Sequence, residues 1–146
     1  MLVDQPQPEI AGSAVILGEV HVGAGAILAQ GLVVRSHDGA VSIGNYSAVL
    51  ENGVVIGTAA HPVRVGQRTV FGHRATIIGA DIGDLCEIGN GAILMPGSRL
   101  GSGCILGEGT LVPRREPGMR IAPLPISHRS PTVAPTMAAR WPKTVR

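Results

Sequence analysis

Three histidines of this 146-residue sequence have neighbours that suit acid–base or metal chemistry. His37 follows two residues after Arg35, His61 lies in the segment 58–62 (Thr-Ala-Ala-His-Pro), and His73 lies in a glycine-rich stretch. An imidazole can accept or release a proton near neutral pH, and its nitrogens also bind zinc. Zinc needs four ligands, or three and a water molecule, so no single histidine forms such a site. The chemistry therefore depends on the elements that bring these side chains together.

An aliphatic or aromatic residue returns at nearly every sixth position over residues 65–113, with one residue skipped after Ile77. Four residues after most of these markers stands a small side chain. A period of six fits neither a helix nor an alternating strand, but it is typical of a parallel β-helix. We expect the markers and the small residues to point inward and glycines to serve the corners. The markers here are Val65, Phe71, Ile77, Ile82, Ile88, Leu94, Leu100, Leu106 and Val112.

The period begins at Ile10 and gives seventeen markers in all, which predicts between five and six coils of three strands. A three-residue excess within 35–42 predicts a bulge or short loop, and a four-residue excess predicts an excursion at 58–63. The sequence therefore divides into a lead-in, a β-helix and a basic, proline-rich arm. The boundaries of these parts are 1–9, 10–113 and 114–146.

Charge and composition distinguish the β-helix from the arm. Residues 1–113 hold five arginines and nine acidic residues, whereas residues 114–146 hold seven basic residues and one acid. We expect the arm to be extended, with a helical turn near 136–141, and to wrap a neighbouring subunit or an acidic surface. Seven dispersed charges do not predict nucleic-acid binding. With no leader-like N-terminus and no long apolar run, a cytoplasmic protein without a membrane span is expected.

Cys86 and Cys104 both occupy the small interior position and lie eighteen residues apart, which is three hexads. They should therefore stack on successive coils. Stacked Cβ atoms that point the same way suit a disulfide badly, so we expect two buried thiols.

The stretch from Phe71 to Pro113 resembles the γ-class carbonic anhydrases, a family of left-handed β-helix, hexapeptide-repeat proteins. The shared motifs are Gly72-His73, Gly79, Ile82-Gly83-Asp84 and Gly89-Asn90-Gly91-Ala92, and the segment around Arg35 also aligns. The resemblance implies a left-handed β-helix and a homotrimer with its site between subunits. In the family, three histidines hold zinc there, two from one subunit and one from its neighbour.

Carried over to this sequence, the three zinc positions fall on Ile56, His73 and Ile78. Only His73 can bind a metal, so the resemblance implies the fold and the trimer but no zinc cofactor. The family's Gln and neighbouring Asp become Leu50 and Glu51. Arg35 and Glu51 could keep the family's ion pair near the subunit boundary.

The sequence thus predicts an apolar pocket between subunits that binds or transforms a small organic molecule. His73, with Arg35 and Glu51 nearby, would act as a general acid or base. Leu50, Ile56 and Ile78 would contact the ligand.

Three alternatives remain open. The segment 58–62 is similar to the Thr-x-x-His-Pro segment of hexapeptide-repeat acetyltransferases, which implies an acyl-CoA-dependent acyltransferase with His61 as its base. A trimer with three basic arms could instead be a non-catalytic scaffold. A displaced zinc site of His37, His61 and His73 would give a working carbonic anhydrase.

Overall fold

Each of the seventeen markers lies in its own short β-strand. The structure is a computed structural model that describes residues 4–115, and these residues contain strands and turns but no helix. None of them therefore forms a helix able to cross a membrane. The strands are β1 Glu9–Ile10, β2 Val15–Leu17, β3 Val20–Val22, β4 Ile27–Leu28, β5 Val33–His37, β6 Val41–Ile43, β7 Ala48–Val49, β8 Val54–Thr58, β9 Val63–Val65, β10 Val70–Phe71, β11 Thr76–Ile78, β12 Asp81–Ile82, β13 Glu87–Ile88, β14 Ile93–Leu94, β15 Arg99–Leu100, β16 Ile105–Leu106 and β17 Leu111–Val112.

Each of the first fourteen strands pairs in parallel with the strand three further along the chain, which produces three sheets around one axis. We call them face A (β1, β4, β7, β10, β13, β16), face B (β2, β5, β8, β11, β14, β17) and face C (β3, β6, β9, β12, β15). The turns between faces are the A–B, B–C and C–A corners. The predicted single-stranded, left-handed parallel β-helix of five to six coils is confirmed.

Three irregularities in the hexad count, namely two longer loops and the residue skipped after Ile77, all fall at the B–C corner. Residues 38–40 connect β5 to β6, and residues 59–62 connect β8 to β9. The ladders continue past both loops, because β4 still pairs with β7 and β6 still pairs with β9. The additional residues therefore leave the stacking of the coils unchanged.

The interior is a narrow column of aliphatic side chains and small residues. Phe71, Leu28 and Ile77 are among its largest fully buried side chains. All seven small residues that the period placed inside are buried, as predicted; they are Thr69, Ala75, Cys86, Ala92, Ser98, Cys104 and Thr110.

Side chains at the C–A corner also link successive coils. The Ser47 hydroxyl donates to the carbonyl of Gly66 (2.7 Å) and accepts from the N–H of Thr69 (3.0 Å). The Thr69 hydroxyl in turn donates to the carbonyl of Gly83 (2.8 Å) and accepts from the N–H of Cys86 (3.1 Å). These buried hydroxyls replace hydrogen bonds that water cannot make inside the prism.

The outer surfaces of the faces differ sharply in polarity. The outward positions of face C are exposed and mainly polar: His21, Ser42, Arg64, Asp81 and Arg99. The outward positions of face B are mainly apolar: Val15, Leu17, Val33, Arg35, His37, Val54, Ile56, Thr58, Thr76, Ile78, Ile93 and Leu111. Face A is intermediate, with the exposed Ile27, Val70 and Ile105 beside Glu9 and Glu87. Faces A and B therefore both present apolar surface that another molecule could cover.

The predicted arm 114–146, with its helical turn near 136–141, lies outside the described residues except for Arg114 and Arg115. At the other end, β1 begins at Glu9, the last residue of the predicted lead-in.

Cys86 and Cys104 are buried thiols that form no disulfide with each other, as expected from their interior positions. The Cys86 thiol donates to the carbonyl of Gly101 (3.2 Å). Burial, reinforced by the neighbouring Cys86, raises the pKa of the Cys104 thiol above its ordinary value of 9.0. The folded protein thus holds the Cys104 proton more tightly than the unfolded chain does.

This difference predicts a loss of stability at alkaline pH. Above the ordinary thiol pKa of 9.0, the unfolded chain releases the Cys104 proton while the folded chain keeps it, so unfolding becomes easier as pH rises. A Cys104→Ala variant should lose less stability between about pH 8 and pH 10, with a difference of up to about 1 kcal/mol per pH unit. Urea unfolding at both pH values measures this, and equal losses in both proteins would contradict it.

Candidate functional site

The A–B corner carries a column of polar side chains, one from each of five successive coils. The members are Gln30, Glu51, His73, Asn90 and Glu108. Backbone hydrogen bonds hold successive members in line. In each case, the residue directly after one member donates its N–H to the carbonyl of the member on the preceding coil. Arg74 N–H thus donates to the Glu51 carbonyl and Gly91 N–H to the His73 carbonyl, both at 2.9 Å.

His73 and Glu51 form the closest side-chain contact in this column. The Nδ1 of His73 lies 2.8 Å from Oε2 of Glu51, and the two side chains are 52% and 44% exposed. In the neutral imidazole the proton therefore lies on Nδ1. Nε2, which has no hydrogen-bond partner among residues 4–115, is then free to accept a proton from a ligand.

The backbone of His73 is fixed from the next coil. Its N–H donates to Oδ1 of Asn90 (2.8 Å), and Nδ2 of Asn90 donates to Oε1 of Glu108 (3.0 Å). Gly72 leaves room for this, because a Cβ at Gly72 would lie 2.4 Å from Oδ1 of Asn90. A ring held by both Glu51 and its own backbone loses little freedom when it contacts a ligand.

Leu50 directly precedes Glu51 at the same corner and is half-buried. The structure thus brings three of the predicted site residues together at the A–B corner: Leu50, Glu51 and His73. The contact between Glu51 and His73 was not foreseen from the sequence. The sequence does contain a pattern that predicts this contact. Both residues take the second position of an A–B turn, and they lie one coil apart when the four-residue excess at 58–63 is subtracted from their separation.

Arg35, Ile56 and Ile78 form a second group on face B. They are register neighbours on three adjacent strands, with Leu17 below Arg35. Arg35 is exposed, and Ile56 and Ile78 are half-buried. Within one chain Glu51 contacts His73 rather than Arg35, so the Arg35–Glu51 ion pair stays a prediction for the contact between subunits.

The positions at which the resemblance places two zinc histidines thus hold isoleucines on face B. Carbon side chains supply no ligand atoms, so the donor set at Ile56, His73 and Ile78 does not fit zinc. Of the alternative ligands, His37 is the last residue of β5 on face B and His61 lies at the B–C corner, whereas His73 lies at the A–B corner. Within residues 4–115 no three His, Cys, Asp or Glu side chains of one chain are grouped to hold a metal. A displaced site completed by a second subunit stays a prediction.

His61 is held in a closed turn at the B–C corner. Its N–H donates to Oγ1 of Thr58 (3.1 Å), and its carbonyl accepts from the N–H of Thr58 (3.0 Å). It packs against Gly79 of the next coil, where a Cβ would lie 2.4 Å from Cβ of His61. His37, by contrast, is exposed, and its Nε2 lies 3.8 Å from Oδ2 of Asp38. The structure therefore restrains His61 much more than His37.

Comparison with known proteins gives relatives of two kinds. Residues 79–114 match the family described as bacterial transferase hexapeptide (six repeats). Over 119 residues, 73% of this chain, the sequence is 29% identical to gamma carbonic anhydrase 1, mitochondrial, of Arabidopsis thaliana. It is 28% identical over 109 residues to gamma carbonic anhydrase 2 of the same plant. The chain spans only 43% and 39% of these two relatives. The predicted resemblance to γ-class carbonic anhydrases is confirmed.

Solved structures share the fold. A hexapeptide transferase family protein from Anaplasma phagocytophilum superposes with a TM-score of 0.61 at 23% identity, covering 73% of this chain and 66% of that one. A GDP-perosamine N-acetyltransferase variant from Caulobacter crescentus, in complex with CoA and GDP-perosamine, gives 0.55 at 25% identity, covering 75% and 50%. The hexapeptide-repeat prism of this chain is thus shared with solved structures of transferase proteins.

The packing of His61 on Gly79 can be separated from backbone strain by two glycine variants. Gly79 and Gly91 both have positive φ, +55° and +65°, but a Cβ at Gly91 would meet nothing within 4 Å. Gly91→Ala should cost about 1 kcal/mol of stability from strain alone. Gly79→Ala should cost about 1–3 kcal/mol more, because its Cβ overlaps His61. Urea unfolding of both variants measures the difference; equal losses would show that His61 does not pack as described.

Proposed function

We propose that this γ-carbonic anhydrase-like hexapeptide-repeat protein forms a homotrimer and binds or transforms a small organic molecule in an apolar pocket between subunits, without zinc. The observation that carries the proposal is the His73–Glu51 pair at the edge of a mainly apolar face. The proposal unites the two groups of residues at the site: face B of one subunit with the A–B corner of its neighbour.

The polarity of face B supports association through that face. Its outward side chains include Val15 and Leu17, which are 46% and 52% exposed in the single chain. Burying such side chains stabilises an assembly by about 25 cal/mol per Å² of apolar surface. A flat face repeated in a rotational homo-oligomer would place the same residues at every interface. A trimer therefore contains three equivalent pockets.

Within each pocket, His73 supplies the polar chemistry. Glu51 holds the proton on Nδ1, so Nε2 can accept a proton from a hydroxyl or amine of the ligand. Ile56 and Ile78 of the facing subunit, with Leu50, give the apolar walls that small-molecule sites generally have. Because Ile56 and Ile78 offer no ligand atoms, no step of this chemistry runs through a metal.

A charge placed on face B should destroy both the assembly and the pocket. Ile78→Glu should convert the trimer to monomers, because a carboxylate would be buried against apolar surface. The same variant should lose binding of hexanamide, a neutral apolar probe. Light scattering on a sizing column measures the assembly, and saturation-transfer NMR measures hexanamide binding.

Ile105→Glu is the matched control, because Ile105 is 44% exposed but lies on face A. It should leave both the trimer and hexanamide binding intact. A wild-type protein that is monomeric, or one that keeps hexanamide binding in the Ile78→Glu variant, would contradict the proposal. So would about one zinc ion per chain in the purified protein, measured by mass spectrometry of the metal.

An acyltransferase is the second candidate, and the closed Thr58–His61 turn favours it. A half-buried histidine held by its own backbone at an edge of face B is suited to accept a proton from an acceptor hydroxyl or amine. The 25% identical Caulobacter crescentus enzyme, whose structure contains CoA, supports this reading at the level of the fold.

His61→Ala tests this candidate. An acyltransferase should keep its stabilisation by acetyl-CoA in this variant but lose acetyl transfer by about 100-fold or more, because the base is gone. Thermal-shift measurements and release of free CoA thiol give the two readouts over a panel of amines and sugars. His21→Ala, which changes an exposed histidine on face C, should alter neither. Transfer that is unaffected by His61→Ala would exclude His61 as the base.

A further inference from the structure

We infer that Arg35 binds the carboxylate of the ligand, so that the molecule bound beside His73 is a small organic carboxylate with an apolar body. This inference rests on the pocket proposed above and names its substrate class. It comes from the position of one arginine on a face whose strands hold no other Arg, Lys, Asp or Glu.

Arg35 has no counter-charge within the described part of the chain. Its exposed side chain makes no ion pair and no side-chain hydrogen bond with any residue in 4–115. Its register neighbours on face B are Leu17 and Ile56. No other Arg, Lys, Asp or Glu occurs in the six strands of face B. The neighbouring ionisable side chain in β5 is His37, two residues further along. The guanidinium therefore lies on a mainly apolar surface whose strands offer it no carboxylate.

The arginines of face C have a different environment. Arg64 and Arg99 both lie in register with Asp81, one on each side of it. At the C–A corner, the guanidinium of Arg68 lies 5.7 Å from the centre of the Tyr46 ring. Each of these arginines has an acidic or aromatic neighbour, whereas Arg35 has neither.

Association through face B makes this isolation costly. When a second subunit covers the face, the Arg35 guanidinium loses water, and a buried charge without a partner is strongly destabilising. The interface must therefore supply an anion. Either a protein carboxylate or the ligand itself can provide it.

Glu51 of a neighbouring subunit is a protein carboxylate that could pair with Arg35, but it already accepts a hydrogen bond. Its Oε2 accepts from Nδ1 of His73 at 2.8 Å. A guanidinium binds a carboxylate best through two parallel hydrogen bonds that use both oxygens. Glu51 offers only one free oxygen while it holds His73, whereas the carboxylate of a ligand offers two.

The spacing of the strands suggests the size of the ligand. Arg35 and Ile78 lie two strands apart, with Ile56 between them, which is about 10 Å at ordinary strand spacing. A carboxylate paired with Arg35 would thus extend its carbon chain over Ile56 and Ile78. A hydroxyl or amine at the far end would then meet Nε2 of His73.

Isothermal titration of the full-length trimer with hexanoate and with hexanamide tests the inference. The two probes have the same chain but differ in charge. Wild-type protein should bind hexanoate about tenfold to a hundredfold more tightly than hexanamide, as expected for hydrogen bonds to charged groups. Arg35→Met should reduce hexanoate affinity to that of hexanamide and leave hexanamide unchanged. Arg35→Lys should give an intermediate loss, because the charge remains without the planar fork.

Arg64→Met is the matched control and should bind both probes as the wild type does. Equal affinities in the wild type, or a preference for hexanoate that survives Arg35→Met, would overturn the inference while hexanamide binding leaves the pocket itself in place. Failure of both probes to bind would overturn the pocket and the inference together. If Arg35→Met and Glu51→Gln each dissociate the trimer, Arg35 pairs with Glu51 between subunits and the inference is wrong.

Discussion

The stacking of one coil directly on the next governs everything else in this protein. Parallel backbone ladders fix the distance between coils at the ordinary strand spacing. Three such ladders enclose a narrow column filled by aliphatic and small side chains and by Phe71. Thr69, Cys86 and Cys104 are buried within it, which leaves no space for a ligand inside one chain. Any chemistry must therefore occur on the outside, at faces and corners, where the same stacking aligns residues from successive coils.

That alignment explains the character of the site. Glu51 and His73 are distant in sequence, yet they occupy equivalent positions one coil apart, so their side chains meet without any special loop. Ile56 and Ile78 meet on face B by the same rule. One structural principle thus supplies a polar pair at a corner and an apolar strip on the adjoining face.

The fold was readable from the sequence because the hexad period encodes it residue by residue. Each marker, from Ile10 to Val112, became one strand, and each interruption of the count became a loop or a shortened turn at the B–C corner. The site was readable only in part. The period assigns His73 and Glu51 to a corner, but a carboxylate–imidazole contact depends on the rotamers of two half-exposed side chains, which no period specifies. The environment of Arg35 likewise depends on which residues align on three strands, and the interruptions of the hexad count shift that alignment.

The loops at 38–40 and 59–62 have a wider consequence. Both leave the ladders on either side intact, so chain length at the B–C corner is decoupled from the architecture of the prism. A β-helix of this kind can gain or lose residues at the B–C corner during evolution and keep its cross-section unchanged. New specificities can thus arise by lengthening the loops of one corner, while the three sheets of the β-helix stay unchanged.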